Sequence, residues 1–560
     1  MSSSDMPWLG NKPPLATEPN VTEPNRWGRI EALLERGSEW LNPILVKEAR
    51  QALKSQQFVF TFSMLLLFGW LWTLIGVYLS LPGIFYGAAG KGMLYGYFLV
   101  LSIPLLVVVP FSAFRSLAAE REDGTYELIS ITALNARQIV GGKLGSAILQ
   151  MLVYFSALAP CVAFTYLLRG VDIFSIFFVL YYTFLLSLIL STFALLVATA
   201  TRARHWQALL SVLLLLLLFI VAISWVFMIW ESLNRDWWVA DFWQFWAIQA
   251  FILTMTISYF VLFLWAAGAQ ISFASDNRSS RLRYVMLAQQ VLWMGWVTFM
   301  FIEETELGLL AAAQTVAGLN WMVLGALLIG EHPQLSQRVK RELPQSYLGR
   351  MLFTWFNPGS GTGYVFAILN LIGMSLFSCG LLLGAAFWNV PVNGPSGQEE
   401  EFVLFTAVLC AYAICYLGIS RLMIILARQV ASVGLVFSLL INIFFLVAGA
   451  VVPYVFQYWL FNYRNEGYTP LQITNWIWSL AEAIDGDLTD HPIVLVGLFS
   501  SAFVIFFGNL ILAAREIAQV RTAAPQRVLE DEAALHPQTK RKASSPWDDE
   551  PSDASLPPGT

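Results

Sequence analysis

The residues that could do chemistry are few, and their spacing excludes several kinds of it. His205, His332, His491 and His536 stand far apart, and none lies near Cys161, Cys379, Cys410 or Cys415 at ligand spacing, so a zinc site is not expected. The cysteines fall in apolar stretches, where Cys acts as a small hydrophobe. A phosphate-cradling loop needs Gly, four residues, then Gly-Lys and Ser or Thr. Neither "GAAGKG" at 87–92 nor "VGGKLG" at 140–145 meets that rule. No carboxylate pair or nucleophile signature stands in or beside the apolar runs. The chain therefore reads as a non-enzyme with no cofactor of its own.

Two charged clusters remain. Asn42 and Pro43 read as an N-cap followed by Pro at the first helical position, starting a helix that runs through Lys47, Glu48, Arg50 and Lys54. The second is 115–143, "RSLAAEREDGTYELISITALNARQIVGGK". Here a helix should continue through Glu120, Arg121 and Glu122 until Gly124 ends it in a left-handed turn. Thr125 can cap a short new helix with Glu127 in its first turn, facing the positive end of the dipole. Asn135 with Gln138 restarts a long helix. A short helix held between two long ones is suited to receiving a push from a docked protein. On spacing alone, a solvated turn with a charge cluster is the simpler reading.

The elements that must position these clusters are membrane helices. Of 560 residues, 57% are hydrophobic and only 12% charged, against about 25% charged in a soluble domain. A span needs about 20 mostly apolar residues. Apolar runs predict twelve, near 58–81, 93–114, 144–168, 173–201, 207–230, 243–270, 284–302, 307–330, 364–388, 402–420, 431–456 and 492–514. The expected fold is an all-α, polytopic integral membrane protein. Long unbroken runs are not the alternating segments of a spanning barrel. A net charge of −5 offers nothing to nucleic acid, which is not an expected partner.

Orientation follows from the basic residues, which favour cytoplasmic loops. With both termini cytoplasmic, only Lys91, Arg169, Arg235 and Arg464 of the 32 Lys and Arg lie outside. Residues 1–27 read as a soluble tail, 28–57 as an interfacial helical segment and 515–560 as a disordered cytoplasmic tail. With these boundaries every charged residue falls in a loop, a tail or at a span edge, which counts against an ion-coupled pump. Gln150, Gln249, Gln289, Asn320, Asn370, Asn442 and Asn509 lie within spans, and their expected role is interhelical hydrogen bonding. Spans one to six and seven to twelve share a plan of long and short inside loops, giving candidate bundles 58–270 and 271–514. On the outside, 471–484 places Ile473, Trp476, Ile477, Leu480 and Ile484 on one helical face.

The stretches "NPILVKEARQALKS" and "EREDGTYELISITALNARQIVGGK" resemble permease subunits of type 2 ATP-binding-cassette exporters. That family has an interfacial helix with an Asn-Pro-(apolar)-Lys-Glu-(x)-Arg run before the first span. It also has a Glu-Arg-Glu-(x)-Gly-Thr-(x)-Glu run leading into a coupling helix. Asn42, Pro43, Lys47, Glu48 and Arg50 match the first; Glu120, Arg121, Glu122, Gly124, Thr125 and Glu127 match the second. The likeness covers about 42–143 clearly, and the family's usual core is six spans rather than twelve. It implies a plasma-membrane exporter subunit driven by a separate cytoplasmic ATPase, which would carry ATP and Mg and dock on 115–143. It leaves open whether 271–514 is a diverged second permease half, making a single-chain pseudo-dimer, or whether two copies form a homodimer. An ion-coupled secondary transporter and a non-transporting membrane assembly protein are the alternatives.

Overall fold

The computed structural model describes residues 43–83, 86–122, 136–200, 204–235, 243–273, 276–332, 354–393, 398–430, 433–461, 467–520, 530–531 and 534–535. The chain is an all-α polytopic membrane protein, with twelve helices long and apolar enough to cross a bilayer among these residues. A short amphipathic helix α1 (Pro43–Lys54) leads into α2 (Gln56–Ser80), and Ser55 caps the junction by accepting from the Phe58 amide at 3.1 Å. Then come α3 (Gly90–Glu122), α4 (Ala136–Leu167), α5 (Ile173–Thr199), α6 (Arg204–Asn234) and α7 (Trp243–Ile271). After these stand α8 (Ser280–Glu304), α9 (Leu307–Ile329), α10 (Ser360–Phe387), α11 (Gln398–Ala427) and α12 (Leu435–Leu460). The outer helix α13 (Trp476–Asp485) and the last span α14 (Pro492–Val520) complete the order.

All twelve expected spans are present, nine of them as helices longer than their apolar run. Proline inside the second is absorbed locally. Pro104 has no N–H to give and crowds the preceding turn, and Pro104–Val108 widens into a π turn within α3. The neighbouring Leu105 carbonyl is taken by the Ser187 hydroxyl of α5 at 2.6 Å. A backbone group in the bilayer has no water to turn to, so an irregular turn there requires such a partner.

Contacts divide the described chain into two compact units. The first draws on Met1–Ser116, Tyr126–Ser187 and Leu218–Arg235; the second on Leu117–Thr125, Leu188–Leu217 and Asp236–Thr560. The division does not fall at residue 270, because α7 packs against α8 and reaches α9. Trp243 and Phe251 make ring contacts with Phe299, Trp293 and Trp296 of α8. The Trp296 indole donates to Thr254 at 2.9 Å and the Tyr259 hydroxyl to Asn320 of α9 at 3.2 Å.

In the first unit α4 packs against α1, α2 and α3, while α2 leaves most of its surface exposed. In the second, α9, α10 and α11 form the centre, with Trp321, Tyr364, Phe366 and Leu417 buried among them. The span amides mostly act as glue. Gln150 accepts from Ser112, Asn320 from Tyr259 and Asn442 from Ser420, while Asn370 turns back to its own helix at the Phe366 carbonyl.

The outer segment departs from the expected continuous helix over 471–484. Residues Pro470–Thr474 form a 3-10 turn, and Asn475 caps a fresh helix from Trp476 by accepting from the Trp478 amide. The tyrosines of α11 set this break: Tyr412 donates to the Ile473 carbonyl at 2.8 Å and Tyr416 to that of Thr474. Leu480 is buried with Ser479 and Ala483, whereas Ile477 and Ile484 are exposed. Backbone polar groups, not the apolar stripe, decide which face turns inward.

Candidate coupling site

The helix α1 turns Ile44, Leu45, Glu48 and Ala52 toward the protein and leaves Lys47, Arg50, Gln51 and Lys54 exposed. The close seat of α1 on α4 depends on two glycines. A Cβ at Gly142 would come within 2.8 Å of Ile44, and one at Gly145 within 2.7 Å of Leu45. Removing those carbons lets the backbones approach, as small residues do in membrane helix contacts.

This approach brings a charge pair together. Lys143 Nζ lies 3.2 Å from Glu48 Oε1, with the lysine side chain 1% and the glutamate 9% exposed. The ammonium also donates to the Ser116 carbonyl of α3 at 3.2 Å. A buried charge is tolerable only when paired and further hydrogen-bonded; here Glu48 and the Ser116 carbonyl meet that need. One side chain thus joins α1, α3 and α4. Lys47 sits 3.7 Å from the same Glu48 oxygen but is 59% exposed, so it adds little to the pair. On the open side, Val46, Lys47, Arg50, Gln51 and Lys54 line a shallow concavity of about 540 Å³.

Of the expected site residues, Pro43 opens α1, and Glu48 joins a partner that was not itself singled out, Lys143. The clue lay in the sequence: Glu48 shares the helical face of Ile44, Leu45 and Ala52, and an acid on an apolar face requires a cation. The helix from the second span runs through Glu120, Arg121 and Glu122; the residues expected to end it lie outside the described residues. Glu120 is half-buried and Glu122 exposed. Arg121 donates to the Ala198 and Thr199 carbonyls at 3.3 and 2.7 Å. It therefore satisfies the open C-terminal carbonyls of α5, where a cation also suits the helix dipole. Asn42, Gly124, Thr125 and Glu127 lie outside the described residues.

A second polar knot lies in the second unit, at the helix ends that the basic residues assign to the cytoplasm. Arg283 of α8 is fully buried and donates to Glu331 at 2.6 Å and to the Trp355 carbonyl at 2.5 Å. Glu331 also accepts from Ser279 and from the Gly359 amide. Arg421 of α11 is equally buried, donating to Glu516 of α14 at 2.9 Å and to the Asn509 carbonyl at 2.8 Å. Glu516 in turn accepts from the Gly361 amide at 3.1 Å. Two carboxylates thus cap the N-terminus of α10, where negative charge is favoured. Arg428 closes the C-terminus of α9 by donating to the carbonyls of Gly330 and Glu331.

The middle of every span is free of charge among the described residues; Lys143, Arg283, Arg421 and Glu516 stand at span edges, within helices that overrun their apolar runs. The overrun turns pack together, so their charges are buried and paired rather than solvated. Among the described residues no group of three His, Cys, Asp or Glu could hold a metal ion. A scan against protein-family models and searches of curated proteins and solved structures gave no match to this chain.

Proposed function

We propose that this multi-pass protein is the membrane-spanning permease subunit of an ATP-binding-cassette transporter in the plasma membrane, moving a substrate whose identity the chain does not reveal. Energy comes from a separate cytoplasmic ATPase subunit that carries ATP and Mg and docks on 115–143 with α1 beside it. The observation that carries the reading is the Glu48–Lys143 pair. It ties the run containing Asn42 and Pro43 to the far end of the run containing Glu120 and Gly124, so the two segments with the family likeness work as one lever on α4. A push on either would be passed through the buried pair and the glycine contact rather than lost in a loose loop.

The exposed Lys47, Arg50 and Lys54 suit an acidic partner surface, and the docking resembles a helix seated in a groove. In this reading a diverged second permease half follows the first, giving a single-chain pseudo-dimer. Its region 331–363 lacks the Glu-Arg-Glu-(x)-Gly-Thr run, so one coupling site per chain is expected.

Photocrosslinkers at Lys47, Ser130 and Thr132 in native membranes test this. Capture of an ATPase at all three positions, with no ATP hydrolysis by the purified chain alone, is the expected result. Gradient-dependent transport by the chain alone in vesicles, with no ATPase captured, would overturn it in favour of a secondary transporter.

A further inference from the structure

In the second unit, α7, α8 and α9 enclose a small notch lined by Met255, Tyr259, Gln289, Gln290, Trp293 and Asn320, with Ala317 at its wall and Val316 at its mouth. Tyr259, Gln290 and Asn320 each lie near the middle of their helix, so the notch sits at mid-depth in the bilayer. No charged residue lines it.

Its polar atoms are not all used by the protein. Gln290 spends its carbonyl oxygen on the Trp321 indole at 2.8 Å, and its Nε2 has no partner among the described residues. Trp293 Nε1 is likewise buried without one. Gln289 donates to Ser258 at 3.3 Å, leaving Oε1 without one. Gln289 and Gln290 are each 6% exposed. The two donors cannot be exchanged for acceptors, since an indole only donates and the Gln290 amide is oriented by Trp321. In hydrocarbon such groups are costly to leave unmet.

Two donors and one acceptor around one space match a neutral hydroxyl, which accepts from N–H groups and donates once. The space open to a water-sized group is about 20 Å³, and about 10–15 Å³ suffices for one oxygen. A carboxylate or phosphate would neither fit nor find a counter-charge. The mouth residue Val316 is 47% exposed, and Leu319 and Val323 continue an exposed apolar stripe along α9. What reaches the mouth is therefore a bilayer molecule, with its alkyl chain on that stripe.

We infer that the notch binds the hydroxyl of an uncharged long-chain alcohol held in the bilayer. This site stands apart from the coupling reading and does not depend on it. The test uses the full chain in nanodiscs with a sixteen-carbon primary alcohol carrying a mid-chain diazirine, beside the corresponding methyl ether and alkane. The alcohol should label α7 to α9 at several-fold lower concentration than either control. Trp293→Phe keeps the ring and removes the N–H, and should weaken the alcohol about fivefold, one hydrogen bond's worth, without changing the alkane. Val316→Trp, at an exposed position, should reduce alcohol labelling to the level of the alkane. Equal labelling by alcohol and alkane, or alcohol labelling unchanged in both variants, would show a site for water alone and overturn the inference.

Discussion

Lys143 and Glu48 meet at 3.2 Å behind the amphipathic helix, and the same ammonium holds the Ser116 carbonyl of the second span. Removing one partner leaves the other charge buried, which typically costs about 3 kcal/mol or more. Glu48→Gln and Lys143→Met should each lower the thermal midpoint in detergent clearly, and the double variant should lose less than the two singles together. Strict additivity in that cycle would mean the pair contributes no coupling.

The seat of α1 is a matter of space. A Cβ at Gly141 meets nothing within 4 Å, whereas at Gly142 it would press on Ile44 and the backbone of Leu45. Gly141→Ala should be silent. Gly142→Val should displace α1, read as faster modification of a cysteine placed at Leu45. Slow modification in both variants would indicate that α1 is held elsewhere.

Arg421 is served by three separate nitrogens, bonded to Ser360, Asn509 and Glu516. Lysine cannot reproduce that fork. Arg421→Lys is therefore expected to destabilise nearly as much as Arg421→Met, by about 3 kcal/mol, in denaturant titrations. A lysine variant with wild-type stability would reduce the site to a simple point charge.

Topology can be read by labelling. Glu303 lies exposed at the end of α8 and Gln429 is exposed just after α11. Cysteines at Glu303 and Gln429, in a chain lacking the four native ones, should react with an impermeant reagent only from outside and only from inside respectively. Reaction of both from one side would refute the orientation drawn from the basic loops.

Coupling makes the last prediction. Under the proposed coupling function, Glu122→Ala and Gly124→Val should reduce transport and ATPase stimulation while leaving insertion intact, since Glu122 is exposed and the left-handed turn that the sequence predicts at Gly124 strongly disfavours valine. Arg121→Ala should also lower stability, because its guanidinium closes the end of α5. Full transport in the first two variants would make 115–143 a passive turn.

The sequence alone determined the fold class, the twelve spans and the start of α1 at Pro43. These rest on hydropathy over about 20 residues and on capping, both local along the chain. Only the tertiary structure decided that Glu48 belongs with Lys143, that Arg121 caps α5, and that Arg421 and Glu516 share a buried pair, because these partners are distant in sequence. The same holds for the break at Asn475, set by tyrosines of α11, and for the notch at Gln290 and Trp293. An apolar run shows that a helix is buried in something; which of its polar atoms meet another protein atom depends on how neighbouring helices approach, and that is fixed by packing.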